Sequence, residues 1–156
     1  MIAWRIGTDT GTYTALDPSG AGAQNTGGRW NRKGTAVVYS STTIALACME
    51  TLVHLNVPLP LNRYLVQLDI PDGLIHKAHR FDQAKNVGWD AIPAGLVSLE
   101  FGERWLAGRT SAILFVPSSI IPEEDNILIN PTHPDAKQVL WKKIRRFQYD
   151  PRIKKV

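Results

Sequence analysis

Hydrophobic and polar positions set out most of the elements. IAWRI (2–6) alternates with the two-residue period of a strand, and Gly7 to Gly28 follows as a long loop rich in Gly, Thr, Ser, Asp and Pro. A loop of that length without structure of its own is often functional. TAVVYSS (35–41) reads as a β-branched strand, with Ser41 or Thr42 placed to cap the run TIALACMETLVHLN (43–56), which has the helical period and ends before Pro58. RYLVQLDIP (63–71) alternates like a strand, and GLIHKA (73–78) suits another. In AGLVSLEFGERWLAGR (94–109), Val97, Phe101 and Trp105 recur every four residues, the stripe of an amphipathic helix stopped near Gly108. SAILFVPSS (111–119) and NILIN (126–130) read as strands, and the final stretch suits either a strand or a helix.

Strands and helices mix here without the regular alternation of a doubly wound sheet. The expectation is therefore an α+β fold around a mixed or mainly antiparallel sheet. With no repeat, low-complexity tract or long linker, residues 1–156 are expected to form a single domain, large enough to bury a core without staples.

Composition changes this picture only a little. Cys48 is the only cysteine, so no internal disulfide can form, and its apolar surroundings suggest a small buried side chain. No run approaches the roughly 18 apolar residues of a membrane span, and the first residues lack the sections of a signal peptide. A soluble protein of the reducing cytoplasm is the expectation. The formal charge of +4 suits an anionic partner, but WKKIRRFQYDPRIKKV (141–156) holds seven of the 18 cations, so the tail produces much of the basic balance.

Candidate chemistry is concentrated in NTGGRWNRKG (25–34) and the helix after it. Glu50 is the only carboxylate between Asp17 and Asp69, and Leu46 and Val53 share its helix face. It is either an ordinary exposed or paired helix residue, or an acid held in a pocket, where burial raises its pKa and a nearby cation lowers it. Arg29 follows two glycines that let the backbone approach a ligand, and its guanidinium can grip a phosphate or carboxylate through two parallel hydrogen bonds; equally, it can cover Trp30 in a tight turn. Arg32 and Lys33 suit a solvated hairpin edge. GGRWN lacks the ending and the following helix of a phosphate loop.

Tyr39 ends its strand, where a ring can stack on a base, and Arg5 is a cation inside an apolar strand that needs an exposed face or an anion. Ser118 and Ser119 stand where a buried strand emerges, with Asn126 and Asn130 among later turn residues. Zinc chemistry is poorly supported, because His54, His76, His79 and His133 have no ligand spacing or cysteine company. No Gly-x-Ser-x-Gly elbow occurs for a serine hydrolase. LEFGER and PEED do not supply the Glu-x-Glu pair of an arginine-modifying ADP-ribosyltransferase.

In chain order, WRI with Arg5, GGRWN with Arg29, VVYSS with Tyr39, ALACMETLVH with Glu50, VPSSI with Ser118 and NILINPTHPD resemble the RES domain family, named for its arginine, glutamate and serine. The resemblance runs from Trp4 to about Arg152. It implies a fold similar to that of ADP-ribosyltransferase toxins and a toxin of a bacterial toxin–antitoxin pair whose partner is an Xre-type helix-turn-helix protein. The implied activity is destruction of NAD, by hydrolysis or phosphorolysis, with NAD as substrate and no cofactor or metal.

Carried onto this chain, the implied site is Arg5, Arg29, Tyr39, Glu50 and Ser118, with Asn126 as an addition. Glu50 would stabilise the ribosyl cation, Arg5 and Arg29 would hold the pyrophosphate, Tyr39 would flank the nicotinamide ribose, and Ser118 would orient a substrate oxygen. Two other readings are ADP-ribosyl transfer to a macromolecule and a nucleic-acid-binding module that uses the basic tail. Nucleic-acid binding is otherwise expected only through the antitoxin.

Overall fold

The computed structural model describes residues 1–55 and 59–154. Seven strands form one sheet: β1 (Ile2–Thr8), β2 (Val38–Ser41), β3 (Arg63–Asp69), β4 (His79–Arg80), β5 (Ile113–Pro117), β6 (Asp125–Ile129) and β7 (Leu140–Arg146). Their order across the sheet is β4-β5-β6-β2-β1-β3-β7. Every pairing is antiparallel except that of β4 with β5, so the fold is α+β around a mixed sheet. The helices are α1 (Ala21–Thr26), α2 (Ile44–Leu52), α3 (Asp72–His76) and α4 (Leu96–Gly108).

The central pairing positions the site. β1 runs beside β3 in register over its whole length, and β2 pairs with β6 along four positions, yet β1 and β2 meet at one register pair, Trp4 with Ser41. Beyond that rung the two strands diverge. The sheet is thus two hydrogen-bonded halves, β4-β5-β6-β2 and β1-β3-β7, with a cleft opening between them.

Alternation assigns the faces. Ala3, Val38, Val66, Leu68, Ile113, Phe115, Ile127 and Ile129 point to one side and form a core that crosses both halves. On the other side the core divides. Leu114, Val116 and Leu128 pack with Trp105 and Leu106 of α4 and with Trp30, Phe81 and Trp89, whereas Ile6 and Leu65 pack with Ala47 of α2 and with Phe147 and Tyr149. Helix α2 therefore leaves the end of β2 and crosses the divide to lie on β1 and β3.

Several elements differ from the expectation. GLIHKA is not a strand: α3 occupies it, with Asp72 in the first turn favouring the helix N-terminus and Leu74 buried in the core. The cap of α2 is Thr43 rather than Ser41 or Thr42; its Oγ1 accepts from the Leu46 amide at 3.0 Å. That helix ends at Leu52, and Asn56 and Pro58 lie outside the described residues. The loop 7–28 contains α1, a single short helix without buried residues.

The ambiguous tail resolves as edge strand β7. Its cations are partly used by the protein itself, since Lys143 pairs with Asp9 at 3.0 Å and lies 4.1 Å above the Tyr64 ring. No helix among the described residues is long and apolar enough to cross a membrane.

Candidate active site

A cavity of about 860 Å³ fills the divide, walled on one side by Trp4 through Thr8 of β1 and on the other by Tyr39 through Ser41 of β2 and by Val37 just before it. Five consecutive residues of one strand can line a cavity only where the strand presents its unpaired edge. The cleft therefore follows from the single rung between β1 and β2. Gly28, Arg29 and Trp30 contribute a further wall, α2 supplies Glu50 and Thr51, and Asn126 and Ser119 come from β6 and the segment after β5.

The turn that carries Arg29 is fixed by a buried network. Gly27 takes a left-handed backbone (φ +73°), and a Cβ at Gly28 would sit 2.7 Å from Tyr39 Oη. Close approach is needed there because the Trp30 amide donates to Tyr39 Oη at 3.1 Å, and the Tyr39 hydroxyl donates to Asn31 Oδ1 at 2.8 Å. Asn31, itself buried, donates to the carbonyls of Ala23 and Thr35 at 2.9 and 2.8 Å. From α4, Glu103 accepts from the Arg32 amide at 2.7 Å and from Thr35 Oγ1 at 3.1 Å. The glutamate of LEFGER thus clamps the turn, a role the sequence pattern does not disclose.

Tyr39 is accordingly tied by its hydroxyl and lines the cavity. Burial pushes its phenol above the ordinary range, with Glu103 and Glu50 adding to the effect and the Trp30 amide and Arg29 opposing it. Tyr39 therefore lies within the reach of the charges of both Arg29 and Glu50. Arg29 Nη1 donates to the carbonyls of Trp89 and Ala91 at 2.8 and 3.0 Å. It lines the cavity while also holding the loop that brings Ile92 and Pro93 to the wall.

Glu50 is the only carboxylate lining the cavity among the described residues. Its Oε1 accepts from Asn126 Nδ2, and Asn126 Oδ1 accepts from the buried Ser41 hydroxyl at 2.7 Å. The amide is thereby oriented, one carboxylate oxygen is anchored, and Oε2 is left without a protein donor among the described residues. Ser41 belongs to the site, although the sequence suggests it only as a helix cap.

Arg5 reaches the cleft from the opposite face of β1. Burial lowers its pKa, the nearby Asp17 carboxylate opposes the shift, and Nη1 donates to the Asp17 carbonyl at 3.1 Å. Five expected residues, Arg5, Arg29, Tyr39, Glu50 and Asn126, therefore line one cavity. Ser118 does not: it is fully buried, and its Oγ accepts from the amides of Ile120 and Ile121 at 3.0 and 3.1 Å. Its neighbour Ser119 stands on the wall. Thr8, Thr51, His54 and Arg63 also line the cavity and carried no signal in the sequence.

A splayed α+β sheet whose cleft is lined by arginines and one anchored carboxylate carries the groups with which an anionic small molecule can be held beside an acid. The chain belongs to the RES domain family, whose model, described as "RES domain", matches residues 2–150. Among its relatives, the "Prs ADP-ribosylating toxin" of Sphingobium sp. (strain YBL2) is 55% identical over 152 residues, covering 96% of this chain and 94% of that protein. "Toxin Res" of Yersinia enterocolitica is 37% identical, covering 91% and 93%, and "Toxin Res" of Pseudomonas putida is 35% identical, covering 88% and 89%.

Proposed function

We propose that the protein is a toxin that takes NAD into the cleft and breaks the bond between nicotinamide and ribose. The observation that carries this reading is the Glu50 carboxylate, anchored through one oxygen by Asn126 and free at the other, on the wall of a cavity of dinucleotide size that arginines also line. When the bond breaks, its electron pair goes to the pyridine nitrogen, and neutral nicotinamide leaves. The ribose carbon is left as an oxocarbenium ion, which Glu50 stabilises directly or through the ribose hydroxyls. Arg5 and Arg29 fix the diphosphate relative to Glu50, the Tyr39 ring flanks the ribose, and Ser119 takes the part expected of Ser118.

An acceptor then bonds to that carbon: a hydroxyl or water passes its proton to Glu50 or to solvent, and a phosphate bonds through an oxygen that is already ionised. The identity shared with a relative named for ADP-ribosylation favours transfer of the ADP-ribosyl group to a macromolecule. Release to water or phosphate is the second reading, favoured by the arginines on the cavity wall, which can hold a free phosphate as well as a diphosphate. An Xre-type antitoxin is the proposed partner, inhibiting by occlusion of the cleft. A complex that keeps full activity would refute that mode of inhibition.

The test is nicotinamide release from NAD carrying a label in its adenylate half, with and without phosphate and with and without a cell lysate, beside Glu50→Gln. Release should fall by about 100-fold or more in a folded Glu50→Gln protein. Label on protein identifies transfer, and free ADP-ribose or its phosphate identifies the second reading. Undiminished release from the folded variant overturns the mechanism.

A further inference from the structure

Among the described residues three arginines line the cavity, and the protein uses two of them itself. Arg5 donates to the Asp17 carbonyl, and Arg29 to the carbonyls of Trp89 and Ala91. Arg63 differs. Its Nε is buried without a hydrogen-bond partner, and among the described residues no protein acceptor is bonded to its guanidinium. A buried N–H without a partner is costly even on a half-buried arginine, so a position that keeps one in a ligand cavity is accounted for by an acceptor that arrives with the ligand.

The surroundings identify the kind of acceptor. Arg63 opens β3 opposite Thr8 and shares a face with Leu65, which packs against Ala47 of α2. The Tyr149 hydroxyl, donating to Thr51 Oγ1 at 2.9 Å, lies within the reach of Arg63's charge, and Thr51 follows Glu50 on α2. Arg63 therefore stands on the α2 side of the cleft, among hydroxyls. Glu50, the one carboxylate lining the cavity among the described residues, makes no ion pair with Arg63.

Resting on the reading of the cleft as a dinucleotide site, we infer that Arg63 forms an anion subsite that binds a phosphoryl group through its planar fork of N–H donors. The phosphoryl group belongs either to the diphosphate of the substrate or to inorganic phosphate acting as acceptor. In either case Arg63 is a positioning residue, and the carbonyl-bound Arg5 and Arg29 are secondary to it in holding the anion.

The experiment compares the full-length protein with Arg63→Met, which keeps the apolar stem, and Arg63→Lys, which keeps the charge but not the fork. Affinity is read for ADP and for inorganic phosphate, KM and kcat from nicotinamide release, and fold from the melting temperature. In Arg63→Met the dissociation constant for the bound anion should rise about tenfold or more. The loss should fall mainly on KM, with partial recovery in Arg63→Lys. The melting temperature should hold or rise, because the variant removes an unpaired buried donor, whereas a merely structural arginine would lower it.

Weakened ADP binding assigns the subsite to the substrate diphosphate. Loss of a phosphate-stimulated rate with ADP binding intact assigns it to inorganic phosphate. Unchanged affinity for both anions in folded Arg63→Met overturns the subsite, whether or not the protein cleaves NAD. A wild-type protein that binds ADP through Arg63 yet releases no nicotinamide overturns the cleavage reading and leaves the subsite standing.

Discussion

Asn126 decides where the carboxylate of Glu50 stands. The Ser41 hydroxyl fixes the amide, and the amide fixes one oxygen of the acid, so the three residues act as a chain from β2 through β6 to α2. Asn126→Ala is expected to lower nicotinamide release by about tenfold or more, by loosening the acid, while costing stability about 1–3 kcal/mol, because two hydrogen bonds go and the buried Ser41 hydroxyl loses its acceptor. A turnover assay beside a denaturant titration checks both, and wild-type turnover would show that Glu50 needs no anchor. At this scale the sequence was legible where a residue type was rare in its surroundings. Glu50 stands out as a lone carboxylate, and Arg29 as a cation after paired glycines. Ser118 against Ser119 was not legible, because which of two adjacent serines caps a turn depends on backbone direction. Arg63 gave no signal either, since a cation opening a strand looks the same whether it meets solvent or a cavity.

The turn 27–34 is the element on which the wall of the site depends. It joins β2 through Tyr39 and α4 through Glu103, and Trp30 beneath it packs at 4.8 Å on Phe81 and against Gly102, where a Cβ would lie 1.9 Å from the Trp30 carbonyl oxygen. Gly28→Ala is therefore expected to displace the Tyr39 hydroxyl and cost about 1–3 kcal/mol, read as a shift in denaturant midpoint. A midpoint equal to wild type would mean that the turn moves aside without using that contact. The strands and α4 were legible because their periodicity reports a buried face. Helix α3 was not, since Leu74 and Ile75 are adjacent apolar residues that fit either period, and β7 was hidden because its cations lie on an edge where alternation has only one face to report.

Across the whole molecule, burial of Tyr39 ties stability to pH. Its folded pKa lies above the ordinary value of 10.0, so above that value the unfolded chain loses a proton that the folded chain retains. Its contribution is fully present below pH 10 and declines as pH rises, by up to about 1.4 kcal/mol for each pH unit. Stability measured between pH 9 and 11 should fall less steeply in Tyr39→Phe, and an unchanged slope would count against burial of the phenol. The fold class followed from the mixture of elements, but the splitting of the sheet did not: nothing local in IAWRI or VVYSS says that the two strands touch at Trp4 and Ser41 alone. That lone rung also has a mechanical consequence. Each half of the sheet is stiffened along its own ladder, but the joint between them is spanned mainly by side-chain packing on the face away from α2, so the direction of greatest compliance runs across the cleft. A bound molecule gripping both walls would act there as a strut.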